Sequence, residues 1–254
     1  MNIVVPVKLV PDLVEELVID ASGVALDPSW LRLVLSEFDD HAIEQAILLK
    51  ERSGGSVTVV GPPAEGVDDV LYTAAAKGAD RLIRLTGDFP AGLNNHGLAR
   101  ALAEVVKAQQ PDLVLTGVQA HDDLDGSLGP LLAAYLGIPY IGYVAGVALV
   151  DGKALVRKEY PGGLIAEMEV TLPAVLGIQA AEKPPRYVAV SKVRQAMKTA
   201  AIAEKSVASV DTAGGPSISR LFQPEVGQGA TILEGDMDTV AARLVGIFKE
   251  LGVL

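Results

Sequence analysis

The sequence lacks several residue types on which whole classes of chemistry depend. It contains no cysteine, which excludes disulfides, thiolate catalysis, iron–sulfur clusters and cysteine-ligated zinc. It contains three histidines, His41, His96 and His121, so a metal site built from several histidines is not expected. Aromatic residues make up 4% of the chain, which favours aliphatic strands buried under helices over a small aromatic-cored β module.

Basic residues are also in short supply. The chain has 21 lysines and arginines against 32 aspartates and glutamates, for a net charge of −11. Such a surface repels phosphate backbones and anionic lipids, so we expect no nucleic-acid partner. No apolar run reaches the roughly 18 residues that a membrane span needs, and the first residues resemble a strand rather than a signal peptide. The sequence therefore predicts a soluble, cytoplasmic protein without membrane insertion.

Short aliphatic runs alternate with segments of helical periodicity over most of the chain. Buried strands are predicted at residues 3–7, 56–60, 81–85, 112–116 and 174–178. Helices with one apolar face are predicted between them at residues 42–50, 67–75, 98–108 and 131–136. Gly78 is expected to end the second of these helices. This alternation predicts an α/β fold with a Rossmann-like parallel sheet covered by helices.

Other segments depart from this alternation. Residues 18–26 resemble a small hairpin, and Asp151-Gly152 between two apolar runs is a stronger hairpin signal. We therefore predict a small antiparallel insertion before the last parallel strand at residues 174–178. Beyond residue 190 the pattern becomes irregular until a final amphipathic helix, so the sequence divides into an α/β domain, residues 1–190, and an extended C-terminal arm, residues 191–254. The arm packs either on a partner chain or back on its own domain.

The most informative segment follows the fourth predicted strand. A loop with Gly117, Gly126 and Gly129 leads from the strand end at Thr116 into a helix that begins near Ser127. Free backbone N–H groups and the positive end of a helix then lie at the carboxyl edge of the sheet, where phosphates bind. A tight strand–helix connection is the structural alternative. The loop is neither a Walker sequence nor GxGxxG, which argues against a kinase or an NAD enzyme.

Two further features lie near this edge of the sheet. Asp122, Asp123 and Asp125 are interpreted as capping and ribose-contacting residues in preference to metal ligands, because no further ligand or base is identifiable. Phe38 is either a hydrophobic staple or the aromatic wall of a pocket, and Ser36 or Asp39 is the predicted helix N-cap. His41 and His121 are candidates for adenine or phosphate contacts.

A local basic run follows the last predicted strand. It interleaves charged and apolar side chains, namely Lys183, Arg186, Lys192, Arg194 and Lys198 with Val188, Val190 and Val193. A charged rim around an apolar anchor is typical of a transient protein interface, and a solvated helix face is the alternative. No acid–base pair and no nucleophile with a base is identifiable, so the sequence predicts a binding protein rather than an enzyme.

The remaining signals are motifs spread over the whole chain. They are Val5-Pro-Val-Lys8, Phe38-Asp39 with Ala42-Ile-Glu-Gln-Ala46, Gly117-Val-Gln-Ala-His-Asp-Asp123, Leu136-Gly-Ile-Pro139 and Pro185-Arg-Tyr187. Together they resemble the β subunit of electron transfer flavoproteins, the FixA-like family. The resemblance implies an electron carrier in which an α subunit holds FAD, this subunit binds AMP structurally, and the C-terminal arm packs on the α subunit. Flavin dehydrogenases would dock transiently, and a quinone reductase or similar acceptor would receive the electrons.

The resemblance also implies the site residues by position. The implied cofactor contacts are Pro6, Ser36, Phe38, Asp39, Gly61, Pro62, Gly117, Val118, Gln119, Ala120, His121, Asp122, Asp123, Gly126, Ser127 and Leu128. The implied partner-docking residues are Glu159, Arg186, Tyr187, Val190, Lys192 and Arg194. Phe38 holds the family position that approaches the flavin ring, and Glu159 matches a glutamate linked to domain motion. The resemblance implies no catalytic residue and no metal ligand.

Departures from the family pattern bear on the choice of ligand and, at Val190, on the choice of partner. Pro6 and Ser36 replace Ala and Asn, and Val190 is smaller than the leucine of well-known members. Relatives that bifurcate electrons from NADH hold a second FAD in the AMP pocket and usually carry Asp-Gly-Asp where this chain has Asp122-Asp123-Leu124. AMP is therefore the favoured ligand. A bifurcating FAD-binding subunit and a free-standing nucleotide-binding module are the alternative interpretations.

Overall fold

The computed structural model describes residues 1–90, 93–124, 128–207, 210–225, 227 and 229–254. Within these ranges the strands are β1 (Asn2–Pro6), β2 (Leu9–Pro11), β3 (Leu33–Leu35), β4 (Ser56–Gly61), β5 (Arg81–Gly87), β6 (Leu113–Gly117), β7 (Tyr140–Val150), β8 (Lys153–Tyr160), β9 (Leu164–Val170), β10 (Ala174–Ile178) and β11 (Ile202–Val207). The helices are α1 (Glu37–Ser53), α2 (Val67–Lys77), α3 (Asn95–Ala108), α4 (Leu128–Leu136), α5 (Val190–Thr199) and α6 (Met237–Glu250).

Among the described residues, nine strands form one sheet in the order β11-β5-β4-β1-β6-β10-β7-β8-β9. The strands from β11 to β7 are parallel to their neighbours, and β8 and β9 continue the sheet in antiparallel fashion. The chain order reverses at β1, because β4 and β5 lie on one side of it and β6 and β10 on the other. Ligands of open α/β sheets bind at the carboxyl ends of strands at such a reversal. A ligand is therefore expected in the crevice between the carboxyl ends of β1 and β6.

Helices cover both faces of the parallel strands. Ile43 of α1 and Leu71 of α2 share one core with Val5, whereas Leu102 of α3 belongs to the opposite core with Val4. Successive residues of β1 thus serve two cores, as the alternation of side chains along a strand requires. Burial on both faces explains why these strands read as continuous aliphatic runs. The predicted fold class, a helix-covered parallel sheet with a small antiparallel insertion, is confirmed.

The turn of the antiparallel insertion has the predicted chemistry. β7 and β8 pair as far as Val150 opposite Lys153, so Asp151 and Gly152 form a two-residue loop. Their φ angles are 49° and 78°, and both lie in the left-handed region that a tight hairpin turn of this kind requires. The Asp-Gly pair therefore fixes the register of the hairpin.

The prediction that residues 174–178 form the last parallel strand is wrong. β11 follows α5 and adds to the sheet beside β5, at the edge opposite β9. Its middle residues, including Glu204 and Lys205, are exposed, so it lacks the aliphatic pattern of a buried strand. The small sheet of β2 and β3 was also not predicted, and the hairpin expected at residues 18–26 is reduced to one bridge between Ile19 and Leu26.

The chain packs into two units. The first is Met1–Leu221 and the second is Phe222–Leu254. α5 and β11 belong to the first unit, because β11 pairs with β5 at the edge of the sheet. The division made from the sequence placed these two elements in the C-terminal arm. In the second unit, Asp236 is the N-cap of α6, and its carboxylate accepts a hydrogen bond from the Thr239 N–H at 2.8 Å. No helix in the described ranges is long and apolar enough to cross a membrane.

Candidate functional site

One buried carboxylate joins the carboxyl ends of β1 and β6. Asp39 lies in the first turn of α1, and its Oδ2 accepts a hydrogen bond from the Lys8 N–H while its Oδ1 accepts one from the Gly117 N–H, each at 2.7 Å. The described pairing of β1 with β6 covers Ile3 and Val4 and does not extend to Lys8. Asp39 therefore bridges the two strands where their backbones no longer pair with each other.

The environment of Asp39 changes its acidity. Burial raises the pKa of Asp39 to about 7, because desolvation disfavours the charged form. The hydrogen bonds from the Lys8 and Gly117 N–H groups and the charge of Lys8 act in the opposite direction, and the charge of Asp123 acts with burial. The carboxyl group at the base of the crevice consequently titrates near neutral pH.

Lys8 and Asn95 fasten the loop that follows β6. Lys8 Nζ lies 2.7 Å from Asp122 Oδ1 and 2.9 Å from Asp123 Oδ1. Asp123 Oδ1 also accepts a hydrogen bond from Asn95 Nδ2, and its Oδ2 accepts one from the Ala120 N–H, both at 2.7 Å. Burial lowers the pKa of Lys8, but the hydrogen bonds and charges of the two aspartates outweigh it and raise that pKa above its ordinary value.

The acidic loop is thus neutralised in part by a lysine of the same chain. Asp122 and Asp123 both face Lys8, and Asp125 lies outside the described residues. Within the part of the chain that the structure describes, no group of three or more histidines, aspartates or glutamates is placed to hold a metal ion.

Close packing between α1 and β6 requires a glycine at position 117. A Cβ atom there would lie 2.7 Å from Asp39 Oδ1 and 2.8 Å from Phe38 Cβ. Phe38 is half-buried beside this glycine. Ser36 is the N-cap by position, but its side chain makes no capping hydrogen bond, and the Asp39 carboxylate is committed to Lys8 and Gly117 instead. Neither predicted side-chain cap is formed.

Most of the predicted cofactor residues lie at this edge of the sheet. Pro6, Gly61 and Gly117 are the last residues of three neighbouring strands, β1, β4 and β6, and Leu128 begins α4. The buried positions among the others are Ser36, Asp39, Pro62 and Val118, the partly exposed ones Phe38, Ala120, Asp122 and Asp123, and the exposed ones Gln119 and His121. Gly126 and Ser127 lie outside the described residues.

Sequence reasoning missed two residues of the site. Lys8 follows β1 by two positions, as the Gly117 loop follows β6, so its proximity to the loop could have been predicted from parallel pairing of the strands. Asn95, at the start of α3, carries no signal that would distinguish it from any polar residue near a helix start. Both residues act on Asp123, which is the centre of the hydrogen-bond network.

A buried hydroxyl at the same edge makes no hydrogen bond to any residue that the structure describes. Thr116 is 1% exposed, and its Oγ1 makes no hydrogen bond within the described ranges. Gly129 in the first turn of α4 lies against it, and a Cβ atom at that glycine would come within 2.7 Å of Thr116 Oγ1. Buried polar groups are rarely left unpaired, so this hydroxyl marks a place where a polar ligand would add a hydrogen bond.

Two cavities lie near the site. One of about 580 Å³ opens at the ends of β4 and β5 beside Pro63, Gly66 and Arg84, and another of about 420 Å³ lies between β3, α1 and α2. Both volumes suit a small molecule. Neither of these two cavities is lined by Lys8 or Gly117.

Comparison with known proteins decides the family. A family model described as "Electron transfer flavoprotein domain" matches residues 31–210. The chain is 36% identical to the electron transfer flavoprotein subunit beta of Methylophilus methylotrophus, over 98% of each chain. It is 32% identical to the protein of the same description from Clostridium acetobutylicum, again over 98% of each, and 31% identical to that of Syntrophomonas wolfei over 86% of this chain and 85% of the relative. The chain belongs to the electron transfer flavoprotein β-subunit family. Membership confirms the resemblance and supports a role in electron transfer.

The docking residues predicted for this electron transfer flavoprotein chain fall in separate places. Glu159 is exposed on β8, in the antiparallel part of the sheet. Tyr187 is 88% exposed, and Val190, which begins α5, is 62% exposed. Lys192 and Arg194 are exposed on α5, a helix that packs against α2 and buries Ala196. These placements fit both the interface and the solvated-helix interpretations.

Arg186 differs from the other predicted docking residues, because it is held by α1 of its own chain. Its guanidinium donates to the carboxylates of Glu44 and Glu51 at 2.7–3.2 Å, and its backbone N–H donates to Glu44 Oε2 at 3.0 Å. The carboxylates of Glu51 and Glu44 raise the pKa of Arg186 above its ordinary value. A basic run in the sequence cannot show this, since it does not reveal which charge is paired within the fold.

Proposed function

We propose that this chain is the β half of a heterodimeric electron transfer flavoprotein. With an α subunit, it would take electrons from flavin dehydrogenases and pass them to a quinone reductase or a similar acceptor. FAD, held mainly by the α subunit, supplies the redox chemistry when bound, and this chain supplies binding and orientation. The observation that carries the proposal is made in a chain of this family: the strand order reverses between β1 and β6, and the glycine loop at that point is hydrogen-bonded to Asp39.

AMP fits the residues at this edge as a structural nucleotide. The α4 N-terminus and the Thr116 hydroxyl would hold the phosphate, since a helix N-terminus and an unpaired donor both favour an anion. Asp122 and Asp123 would accept hydrogen bonds from ribose hydroxyls, with their charge compensated by Lys8. The half-buried Phe38 would supply apolar surface beside the ligand. A second FAD is not favoured, because Leu124 stands where bifurcating relatives usually carry an acidic residue.

The nucleotide content of the assembled protein tests this proposal. The chain would be co-expressed with an α subunit, and the nucleotides released by denaturing the purified complex would be identified by chromatography and mass spectrometry. We expect one FAD and one AMP per heterodimer. Two FAD molecules would establish the bifurcating alternative. A stable monomer that binds ATP without an α subunit would establish the free-standing module instead.

A matched pair of variants tests the place of AMP. Thr116→Val removes the unpaired hydroxyl at nearly constant volume, so we expect AMP to bind about tenfold more weakly, as the loss of one hydrogen bond predicts, with no loss of stability in the absence of nucleotide. Thr58→Val is the control, because Thr58 Oγ1 is also buried and has no hydrogen-bond partner among the described residues, but it lies within β4, away from the strand ends. Equal effects of the two variants on AMP binding would contradict the proposed position of the phosphate.

A further inference from the structure

The segment between β10 and α5 is fastened along one face of α1. The Ala181 N–H donates a hydrogen bond to His41 Nδ1 at 3.2 Å, and the Glu182 N–H donates one to Gln45 Oε1 at 3.1 Å. His41 and Gln45 are four residues apart on α1, so their side chains lie above one another on the same side of the helix. Side chains of α1 thus accept hydrogen bonds from backbone N–H groups of the segment that follows β10.

Arg186, at the end of this segment, makes the strongest attachment to α1 through Glu44 and Glu51. Glu44 is 3% exposed at its side chain, and it accepts hydrogen bonds from both the backbone N–H and the guanidinium of Arg186. Glu51, two turns further along α1, binds the same guanidinium. A buried carboxylate is stable only when it is paired and hydrogen-bonded, so Glu44 and Arg186 depend on each other. The pair fixes both the position and the direction of the backbone at residue 186.

Most residues that follow Arg186 up to residue 195 are exposed. Tyr187 is 88% exposed, and Val190 starts α5 three residues later. α5 buries Ala196 against the rest of the protein but leaves most of its surface in solvent. A helix with so little buried surface is held weakly by its own contacts. Its C-terminal end leads directly into β11, which pairs with β5, so the orientation of its N-terminal end depends on how the preceding backbone is anchored.

We propose that Arg186 and Glu44 are positioning residues, which hold residues 187–198 in the orientation that a flavin dehydrogenase recognises. In this proposal Arg186 makes no contact with the dehydrogenase, in contrast to the docking role that the resemblance implies for it. Tyr187, Val190 and the exposed basic residues of α5 form the contact surface. The inference rests on the proposed function of the chain, and it deepens that function by separating the residues that present the surface from those that form it.

Kinetics of the assembled heterodimer test this proposal. The substrate is the heterodimer, and the probe is a purified flavin dehydrogenase that reduces the wild-type heterodimer. We expect Glu44→Ala and Arg186→Ala each to raise KM for the heterodimer about tenfold, with kcat changed less than twofold. The double variant should be no worse than either single variant, because both changes break the same tie. Reduction by dithionite, which needs no docking, should proceed as in the wild type.

Conservative and control variants make the outcome specific. Glu44→Gln keeps an oxygen acceptor for the Arg186 N–H and should raise KM less than Glu44→Ala, and it serves in place of that variant if Glu44→Ala does not assemble. Glu104→Gln, the same change at an exposed position of α3, should leave KM unchanged. If Arg186→Ala raises KM while Glu44→Ala and Glu44→Gln do not, Arg186 contacts the dehydrogenase directly and the proposal is overturned.

Amide hydrogen exchange separates this inference from the proposed function. If no flavin dehydrogenase reduces the wild-type heterodimer, the proposed function fails, and exchange then tests the tie alone. We expect amides of residues 186–190 to exchange about tenfold faster in Glu44→Ala than in the wild-type heterodimer, while those of β6 are unchanged. Unchanged exchange at residues 186–190 would overturn the positioning role whether or not electrons are transferred.

Discussion

The Asp39 side chain links β1 and β6 where their backbones no longer pair with each other. Its two oxygens accept hydrogen bonds from the N–H groups of Lys8, which follows β1, and of Gly117, which ends β6, each at 2.7 Å. The sequence analysis identified Asp39 as a site residue or a helix cap. Its bridging role was not predictable, because it depends on where β1 and β6 cease to pair, which is a tertiary feature.

The acidity of Asp39 leads to a prediction about stability. The folded chain keeps the proton on Asp39 up to about pH 7, whereas an ordinary aspartate loses it near 3.8, so the folded state binds more protons between these values. The contribution of Asp39 to the free energy of unfolding is therefore present below about pH 4 and is lost as the pH rises to about 7. Within that window the slope approaches 1.4 kcal/mol per pH unit.

Asp39→Asn provides the comparison. Asparagine cannot titrate, so the difference in unfolding free energy between wild type and variant, measured by urea denaturation from pH 4 to pH 8, should change with pH and level off above about pH 7. The variant is expected to be less stable at low pH, because its amide group places a donor opposite one of the two backbone N–H groups. A difference that does not depend on pH would show that Asp39 is ionised throughout.

Gly117 gives a second prediction for a single residue. Gly117→Ala places a methyl group 2.7 Å from Asp39 Oδ1 and 2.8 Å from Phe38 Cβ, so α1 must shift and the unfolding free energy should fall by about 1–3 kcal/mol. Gly146→Ala in β7 is the control, because its added methyl group meets its nearest neighbour at 3.6 Å, an ordinary contact. The control should change stability by less than about 0.5 kcal/mol. Similar losses in the two variants would show that α1 and β6 are not tightly packed.

At the scale of elements, the start of α3 holds a distant segment in place. Asn94 is the N-cap of α3, and its Oδ1 accepts a hydrogen bond from the Gly97 N–H at 2.9 Å. Its Nδ2 donates to the carbonyl oxygen of Thr212 at 2.9 Å. Arg100, further along the helix, donates to the carbonyl oxygens of Asp211 and Ala213. The same helix end therefore satisfies its own backbone and anchors the chain that leaves β11.

Two substitutions at Asn94 separate these tasks. Asn94→Ala removes the cap and the donor, so it should lower the unfolding free energy by about 1–2 kcal/mol in urea denaturation. Asn94→Asp keeps a capping oxygen but cannot donate to Thr212, so it should cost less and should speed amide exchange mainly at residues 211–213. Equal losses of stability in both variants would assign the effect to the Thr212 contact rather than to the cap.

The elements that the sequence predicted share a physical property. Strands such as β4 and β10 are buried on both faces, so their aliphatic composition identifies them without any knowledge of their neighbours. β11 is different, because it lies at an edge, exposes Glu204 and Lys205, and is a strand only through its pairing with β5. The position of the glycine loop at the carboxyl edge of the sheet was predictable from the alternation of strands and helices. The contact between Arg186 and Glu44 was not, since it joins residues 142 positions apart.

At the scale of the whole molecule, α6 exposes apolar side chains. Its apolar residues include Leu244, Ile247 and Phe248, and none of its residues is buried. We expect amide exchange in α6 to slow by at least about tenfold when an α subunit is added, because the apolar face is then covered and opening costs more. Amides of α3 should show no comparable change. Unaltered exchange in α6 within a formed heterodimer would contradict the arm packing on the α subunit.

The order of anchor and exposed surface along the chain has a practical consequence. Every described tie of the segment to α1, ending with Arg186, precedes Tyr187. A different sequence grafted in place of residues 187–198 would thus keep the same attachment to α1. Under the proposed docking role, exchanging this one segment would change the electron donor and leave the crevice between β1 and β6 intact.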